Sequence, residues 1–473
     1  MSNNGPKSKV PYWYGLVYED KDEAETLRRA EDPETQMIVY RSDTNDAIFD
    51  EWIQKLEKKI AAIPGSGKAI RILNICGNCN NSLMLLSGQG VKTFVTTEAA
   101  PIGGGQNPQP GSTGEELGIY RSANFPIQIP KKLTEPKKAT GKKPKLSASK
   151  SAKDPVRVAI LDTGLKQKDS ALKKFLIEPQ EEPCIVGAGQ GWNFIDDNEK
   201  YNDDHKDEHG TTVTRMLLDQ SLITPDGNPV EIIPIKVQDG NGKSDLYDVM
   251  CALAYAKSMN AQIINASFGY YAPLNAEANG TYCVKTFRKF IKDVLTDNGI
   301  LLVAAAGNAS KPTEIKQLFN PNGISSQAQA KVAKTPDDPR NLDKVHFYPA
   351  SFAADKEFWN VISVTTVTPK ITSVSKTQNF SRKAVDIGVP ADIADGNGFS
   401  NPRKPGTFIA GSSFATPKVA GMLAGNYDLI AGMRKKEEII SILKGSGLLS
   451  PVPSKVAVRR AILKKQNGQT TKK

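Results

Sequence analysis

The chain has 473 residues, of which 39% are apolar and 38 are glycine, so it is long enough for two or three domains with cores of ordinary size. Its longest apolar runs are short, such as residues 300–306, so we expect no segment of the roughly 20 residues that span a bilayer. The net charge of +11 is concentrated in residues 131–153, which carry +8, and in residues 455–473, which carry +7, so the rest of the chain sums to −4.

The charge distribution, the cysteines and the N-terminus bear on where the protein works. The positive charge belongs to two flanking segments, which can bind nucleic acid or anionic surfaces but are as often only solvated, and we expect no nucleic acid partner. Five cysteines are few and odd in number, and they do not look like a disulfide framework. The first residues are polar and lack the apolar stretch of a signal peptide. A reducing, cytoplasmic location is the simplest expectation.

Residues 1–130 alternate between strand and helix signals and predict a smaller α/β domain. Residues 37–40 form a short strand-like run, apolar residues then recur at helical spacing from Ile48 to Ile60, and residues 70–75 return to a strand. A strand–helix–strand unit of this size favours parallel pairing of its two strands.

Two segments are predicted to lie outside folded domains. Residues 131–154 are rich in lysine and cannot bury enough apolar surface to order themselves, so they predict a flexible linker. Residues 451–473 are predicted to form a basic C-terminal tail.

Residues 155–450 predict the main domain. Runs of β-branched residues, such as residues 156–161, 263–266 and 300–306, alternate with helix-like segments. This alternation is typical of a doubly wound parallel sheet flanked by helices, in which ligands gather at the carboxyl ends of the strands. The predicted fold class is therefore α/β.

Four residues at the ends of predicted elements of this domain have the chemistry of an acyl-transfer peptidase. Such an enzyme needs a hydroxyl nucleophile, a base, an acid that orients the base, and donors for the oxyanion. Asp162 closes a buried strand, and His209 leads into a helical stretch. Ser413 follows a glycine turn that enters a helix, and Asn308 ends a strand with an amide that can donate to the oxyanion.

The segments around these residues resemble the four signature blocks of the subtilase family, in the family's chain order. The resemblance covers about residues 155–445 and implies a subtilisin-like serine endopeptidase that cleaves protein or peptide substrates through an acyl-enzyme. It makes Asp162, His209 and Ser413 the catalytic triad and Asn308 the oxyanion donor. It implies no required cofactor. Calcium stabilises many members of the family, but this sequence shows no recognisable calcium-binding loop.

The same resemblance points to residues that bind substrate. Gly240 and Gly242 are similar to the glycine loop that covers the substrate. Ser267, Phe268 and Gly269 resemble the strand that binds the peptide backbone.

Asp207, two residues before the histidine, matches a position that lines the second subsite, where a carboxylate would attract a basic P2 side chain. The alternative is a solvated acidic loop, because Asp203, Asp204, Asp207 and Glu208 cluster there. His205 and His209 have a spacing that can suit a metal, but a catalytic role of His209 removes that interpretation, so we predict no metal ligand.

Three hypotheses account for residues 1–130: an inhibitory prodomain, a sensor or docking domain for a regulatory protein partner, and a degenerate caspase-like domain. The third rests on residues 70–79 and 90–95, which are similar to the strand–cysteine block and the following strand of caspase-like folds. Because no histidine precedes His205, a Cys–His dyad in this region is excluded. Cys76 and Cys79 lack the second pair of a zinc site, so buried or incidental cysteines are the better interpretation.

Two functions of different classes compete. The first is an intracellular serine endopeptidase that is regulated by its N-terminal domain or by a partner. Lysine pairs in the linker, such as Lys131 and Lys132, suggest that it is cleaved there by itself or by an activating peptidase. The second is a catalytically silent subtilase-fold scaffold whose basic tails contact nucleic acid or a membrane. The complete set of four residues favours the first.

Overall fold

The structure is a computed structural model that describes part of the chain. Up to residue 151 it describes only short segments, namely residues 36–42, 58, 70–73, 76, 79–80, 83–88, 119–124, 126–128, 133–135 and 146. From residue 152 to residue 462 it describes the chain except for residues 182, 186, 222–226, 273–283, 309–337, 339, 369, 372, 392–397, 405, 446–448 and 452–459.

The described residues form strands β1 (Gln36–Arg41), β2 (Ile70–Leu73), β3 (Leu83–Gly88), β4 (Ile119–Ala123), β5 (Pro126–Gln128), β6 (Leu133–Glu135), β7 (Val156–Asp162), β8 (Trp192–Asn193), β9 (Val230–Lys236), β10 (Lys243–Asp245), β11 (Ile263–Ala266), β12 (Tyr270–Ala272), β13 (Leu301–Ala305), β14 (His346–Tyr348), β15 (Val361–Val367), β16 (Ile387–Pro390), β17 (Phe399–Ser400), β18 (Phe408–Ala410), β19 (Leu449–Pro451) and β20 (Arg460–Ile462). The helices are α1 (Ser170–Lys173), α2 (His209–Ser221), α3 (Leu246–Ser258), α4 (Val284–Ile291), α5 (Ser412–Gly425), α6 (Tyr427–Ile430) and α7 (Lys436–Gly445). A π-helical turn (Lys292–Thr296) follows α4, and Ala350–Ala354 form a 3₁₀ turn.

The chain divides into two compact units, and the smaller one comprises Met1–Pro126, Asp245–Cys251 and Ala276–Phe290. Its four strands form a sheet in the order β2-β3-β1-β4, and every pairing in it is antiparallel. The prediction that the first two strands pair in parallel was therefore wrong, because β3 lies between them. The predicted helix between Ile48 and Ile60, apart from residue 58, and the predicted strand over 90–95 lie outside the described residues.

Three contacts in this unit join residues that are far apart in sequence. Cys76 and Cys251 form a disulfide, the Tyr40 and Phe290 rings lie 5.1 Å apart, and Asn124 Oδ1 accepts a hydrogen bond from the Tyr247 N–H over 2.9 Å. The expectation that the cysteines form no disulfide was wrong for this pair. The unit therefore also includes residues from the region that the sequence assigned entirely to the main domain.

The larger unit is built on a nine-stranded sheet, as counted over the described residues, in the order β19-β20-β16-β15-β13-β11-β7-β9-β8. The seven strands from β16 to β8 pair in parallel, which confirms the predicted parallel sheet flanked by helices. In β7 every residue except Arg157 is buried, because a central parallel strand is covered on both faces. This burial fixes the carboxyl end of β7 inside the sheet, two strands from its β8 edge.

The C-terminal region departs from its prediction as a basic tail. Strand β20 pairs in parallel with β16, where Ile387 lies opposite Arg460, and β19 pairs with β20 in antiparallel orientation. Of the predicted tail, residues 451 and 460–462 therefore belong to the sheet, while residues 452–459 and 463–473 lie outside the described part of the chain. A short strand with charged neighbours gives little periodic signal, and its place in the sheet depends on a partner about 70 residues away.

The segment predicted as a linker also contains ordered residues. Strand β6 pairs with β18 in a small sheet of order β17-β18-β6, and Leu146 packs against the core of the larger unit. Lys153 forms an exposed ion pair of 2.7 Å with Asp428. No helix in the part of the chain that the structure describes is both long and apolar enough to cross a bilayer.

Candidate active site

Asp162 is the last residue of β7 and is fully buried. One of its oxygens, Oδ1, accepts hydrogen bonds from the Thr163 N–H over 2.8 Å and from the Thr163 hydroxyl over 3.3 Å. The same oxygen lies 2.7 Å from His209 Nδ1. A carboxylate held by a central strand and by its own neighbour can fix the orientation and the tautomer of an imidazole.

His209 is the first residue of α2, and only 2% of it is exposed. The residue after it has to be glycine, because a β-carbon at Gly210 would lie 2.3 Å from the carbonyl oxygen of Gly164 and 3.1 Å from the Asp162 Cβ. The first turn of α2 therefore rests directly on the chain that follows β7. This close approach brings the imidazole to Asp162.

Ser413 is the second residue of α5, behind Gly411 with a φ of 131°. The α5 and α2 helices cross in close contact, since a β-carbon at Gly421 would lie 2.2 Å from the Leu217 carbonyl oxygen. Their N-terminal turns also meet, because the rings of His209 and Phe414 lie 5.0 Å apart. His209 Nε2 and Ser413 Oγ are both buried, and neither has a hydrogen-bond partner among the described residues.

The carbonyl of Ser413 has an unusual donor. Pro417 lies four residues further along α5 and has no N–H, so the helix cannot supply the usual bond to that carbonyl. The hydroxyl of Ser267 donates to it instead over 2.8 Å, and the Asn265 side chain in turn donates to the Ser267 hydroxyl over 3.0 Å. Ser267, predicted to bind substrate, thus also positions the first turn of α5.

Asn308 is held by the residue that precedes Ser413. Its Oδ1 accepts from the Ser412 N–H over 3.0 Å and from the Ser412 hydroxyl over 2.9 Å. That hydroxyl accepts from the Gly307 N–H, and Gln378 Oε1 also accepts from the Ser412 N–H over 2.8 Å. Because both donors of Ser412 engage Oδ1, the amide presents its Nδ2 as a donor, and a β-carbon at Gly411 would lie 2.9 Å from that Nδ2.

The other predicted substrate residues occupy two loops. Gly240 and Gly242 belong to a turn in which Asp239 Oδ1 accepts from the N–H groups of Asn241 and Lys243, and Gly242 has a φ of 75°. Phe268 is buried and follows β11. A β-carbon at Gly269 would lie 2.5 Å from the Tyr348 carbonyl oxygen, so this glycine lets two chain segments approach each other.

The acidic cluster before His209 is not a uniformly solvated loop. Glu208 pairs with Arg403 and lies 3.7 Å from Lys166, and hydrogen bonding to the guanidinium lowers the pKa of its carboxyl. Asp204 accepts from the buried Lys236 over 2.6 Å. Asp207 lies 3.6 Å from Lys404 Nζ, so a cation of the chain already faces the carboxylate that the sequence assigned to the second subsite.

Asp203, which the sequence did not single out, is the buried member of this cluster. Its oxygens accept from the Thr163 hydroxyl over 2.9 Å and from the N–H and hydroxyl of Thr211 over 2.9 and 2.7 Å. Desolvation by burial raises the pKa of this carboxyl, and the nearby charge of Asp162 adds to the rise. Nothing in the local sequence distinguishes it from its exposed neighbours, because its burial depends on the packing of α2 against β7.

Gln238 is a second residue that the sequence did not mark. It follows β9, whose end is joined to the end of β7 through a bond of 2.9 Å from the Val237 N–H to the Asp162 carbonyl oxygen. The side chain is fully buried, and neither atom of its amide has a hydrogen-bond partner among the described residues.

The described residues contain no group of three or more histidine, cysteine, aspartate or glutamate side chains that could hold a metal ion. The His205 and His209 rings lie 6.1 Å apart. His205 Nδ1 lies 3.2 Å from the Asp207 N–H and accepts from it, and burial, followed by the nearby charge of His209, lowers the pKa of His205.

Comparison with known proteins gives a family for this chain. The profile of the Subtilase family (Peptidase_S8) matches residues 153–463, about two thirds of the chain. No curated protein sequence matches it.

Three solved structures of proteases are similar to the chain. The epidermin leader peptide processing serine protease EpiP of Staphylococcus aureus is 17% identical, with 86% of this chain and 91% of that chain covered and a TM-score of 0.49. The nisin leader peptidase NisP of Lactococcus lactis is 20% identical, with coverage of 65% and 86% and a TM-score of 0.42. A cold-adapted subtilisin-like serine proteinase is 16% identical, with coverage of 65% and 88% and a TM-score of 0.38.

Proposed function

The chain belongs to the subtilase family of serine endopeptidases, and we propose that it hydrolyses peptide bonds with Ser413 as nucleophile, His209 as general base and Asp162 as the acid that orients the base. The observation that carries this assignment is the buried contact of 2.7 Å between Asp162 Oδ1 and His209 Nδ1. It leaves Nε2, in the Nδ1–H tautomer, as the basic nitrogen of the ring. The centroid of that ring lies 5.0 Å from the ring of Phe414, the residue after Ser413.

In the proposed reaction, Ser413 Oγ attacks the carbonyl carbon of the substrate while His209 Nε2 takes the hydroxyl proton. His209 then returns that proton to the leaving amine, the C–N bond breaks, and an acyl-enzyme remains. A water molecule, deprotonated by the same nitrogen, attacks the ester and releases the carboxylic acid and the free serine. The Asp162 carboxylate stabilises the imidazolium that forms in both halves of the reaction.

We assign the oxyanion to two donors, the Asn308 side-chain amide and the backbone N–H of Ser413. The orientation of Asn308 supports this role, since Ser412 engages Oδ1 and leaves Nδ2 as the donor end. The missing hydrogen bond between His209 Nε2 and Ser413 Oγ is compatible with it, because catalytic hydrogen bonds are often long before substrate binds and tighten in the complex. The proposed chemistry uses only side chains and one backbone N–H of the chain together with water, so we propose that it requires no cofactor.

Regulation and location belong to the proposal as well. We propose that residues 1–130 restrain the site or recruit a regulatory partner. The cytoplasmic location stays a prediction, and the Cys76–Cys251 disulfide weighs against it because disulfides persist mainly in oxidising compartments.

Labelling with a fluorophosphonate probe, followed by peptide mass spectrometry, tests the proposed nucleophile. We expect the probe on Ser413 and no label on the Ser413→Ala variant. Ser373→Ala, which changes an exposed serine outside the site, is the matched control and should label like the wild type. If Ser413 stays unlabelled after long exposure to the probe, both alone and in a lysate that supplies a partner, the silent scaffold becomes the better hypothesis.

A further inference from the structure

The residue directly before His209 has an unusual backbone conformation. Glu208 has a φ of 49°, in the left-handed region that residues with a β-carbon rarely adopt. Its N–H donates to the His205 carbonyl oxygen over 2.8 Å, and its own carbonyl oxygen accepts from the Thr212 N–H over 2.9 Å. The chain therefore turns at Glu208 and enters α2 at once. Such a conformation costs free energy and persists only where surrounding contacts hold it.

The side chain of Glu208 is held by a guanidinium that is distant in sequence. Arg403 Nε donates to Glu208 Oε2, and Arg403 Nη1 donates to Asp169 Oδ2 over 3.0 Å. Lys166 Nζ lies 3.7 Å from Glu208 Oε1. Only 23% of the Arg403 side chain is exposed, so water screens these charge-assisted hydrogen bonds less than it screens a surface pair. Arg403 thus fixes the side chain of a residue whose backbone is strained.

Arg403 belongs to the hairpin that leads to Ser413. It lies in the turn between β17 and β18, where Asn401 Oδ1 accepts from the Arg403 N–H over 2.9 Å. The Asn401 N–H donates to the Thr407 carbonyl oxygen over 2.9 Å and closes this turn. Strand β18 then leads into α5, whose first turn carries Ser413. One side chain therefore joins the segment before His209 to the segment before the proposed nucleophile.

We propose that Arg403 is a positioning residue, which keeps Glu208 in its left-handed conformation and thereby sets the His209 ring relative to Ser413. The inference rests on the proposed function and adds a residue that acts through His209. Neither His209 Nε2 nor Ser413 Oγ has a hydrogen-bond partner among the described residues, so their relative placement depends on the segments that carry them. A small displacement between a base and a nucleophile slows a reaction by a large factor.

The first test removes the guanidinium. Arg403→Ala is expected to lower the maximal rate at which a fluorophosphonate probe labels Ser413 by about tenfold, while the probe concentration at half-maximal rate changes by less than about twofold. This split distinguishes a misplaced base from a site that no longer binds the probe. Arg403→Lys should recover part of the rate, because an ammonium keeps the charge but not the fork that engages two carboxylates. Arg382→Ala, which removes an exposed arginine between β15 and β16, is the matched control and should label like the wild type.

A second test changes the backbone and leaves Arg403 in place. Glu208→Gly and Glu208→Ala both remove the carboxylate, but only glycine adopts a φ near 49° without a steric penalty. We expect Glu208→Ala to label Ser413 about tenfold more slowly than the wild type, and Glu208→Gly to stay within about threefold of it. Adding Arg403→Ala to Glu208→Gly should cause no further loss. Thermal unfolding checks that each variant is folded, and the comparison of glycine with alanine decides alone if Arg403→Ala is not.

The outcomes separate this inference from the function on which it rests. Labelling of a folded Arg403→Ala variant at the wild-type rate would overturn the positioning role and leave Ser413 as the nucleophile. Equal rates for Glu208→Gly and Glu208→Ala would overturn it as well, because the backbone conformation would then not matter. A wild type that takes up no label, alone or in a lysate that supplies a partner, would remove the proposed nucleophile and this inference with it.

Discussion

The hydroxyl of Thr163, the residue after Asp162, donates a hydrogen bond of 2.9 Å to the buried carboxylate of Asp203. The other oxygen of Asp203 accepts two bonds from Thr211, in the first turn of the helix that begins at His209. One carboxylate therefore joins the end of β7 to the start of α2. We infer that Asp203 positions the pair of Asp162 and His209.

Asp203→Asn is expected to change how the free energy of unfolding depends on pH. Burial raises the pKa of Asp203 above 3.8, so between that value and the raised pKa the folded state binds more protons than the unfolded state. Its contribution to stability is therefore complete at low pH and is lost as the pH rises through the raised pKa. The free energy of unfolding of the wild type minus that of the variant should fall as the pH rises through this window. Denaturant unfolding at several pH values measures this difference. A difference that rises with pH would contradict the assignment.

Asn308→Ala is expected to lower kcat by about 10²–10³-fold with little change in KM, because the amide would act only on the charge of the transition state. Ser412→Ala, which removes one of the donors that orient Asn308, should lower kcat by a smaller factor than Asn308→Ala does. Steady-state kinetics on an activated sample measures both. A loss that appears in KM and leaves kcat unchanged would argue against the oxyanion role.

Ser267→Ala is expected to destabilise the protein by about 1–3 kcal/mol, because the buried Ser413 carbonyl loses its donor. Pro417→Ala returns an N–H to the helix position that normally serves this carbonyl. The cost of Ser267→Ala should therefore be smaller in the Pro417→Ala background. A double-mutant cycle on the free energies of unfolding measures this coupling. Strict additivity of the two changes would show that the carbonyl does not depend on the serine.

Lys404→Ala is expected to increase the preference for a basic P2 side chain by about two- to fivefold, because it removes the cation that now faces Asp207. Asp207→Asn should abolish the preference in either background. Cleavage of a peptide library, sequenced on both sides of the cut, measures the change. Lys356→Ala, another exposed lysine, serves as the control. Equal P2 profiles for all variants would leave Asp207 as a member of a surface ion pair only.

Cys251→Ser is expected to lower the free energy of unfolding by about 2–5 kcal/mol, because the disulfide joins residues 175 positions apart and restricts the unfolded chain. Cys76→Ser should lower the free energy of unfolding by the same amount. The double variant should be no less stable than either single variant. Trapping thiols in intact cells before lysis would report the state of the bond where the protein works. A bond found oxidised in cells would contradict the predicted cytoplasmic location.

The family, the parallel sheet of the main domain and the candidate site residues followed from local sequence. Each candidate residue stands at the end of a predicted element, in a short sequence motif whose neighbouring residues restrict the backbone. These residues are Asp162, His209, Asn308 and Ser413. Gly210 and Gly411 illustrate why such motifs can be recognised in a sequence. There is no room for a β-carbon at Gly210, and Gly411 has a φ of 131°. A steric requirement of this kind fixes the residue type wherever the same geometry is used.

Strand pairing depended on contacts between segments that are distant in sequence. The periodicity of β1 and β2 is the same in a parallel and in an antiparallel sheet, and only the insertion of β3 between them settled their arrangement. The places of β20 beside β16 and of β6 beside β18 were equally beyond the sequence, because each depends on partners tens to hundreds of residues away.

The sequence by itself determined which side chains can perform the chemistry, because their types and their local backbone are set by residues within a few positions. Only the tertiary structure decided how they are held. It made Asp203 a buried link between two elements, gave Ser267 the carbonyl of Ser413 as its acceptor, joined Cys76 to Cys251, and laid β6 along the strand that leads to the serine. These relationships depend on contacts between distant segments, whose burial and pairing no local pattern encodes.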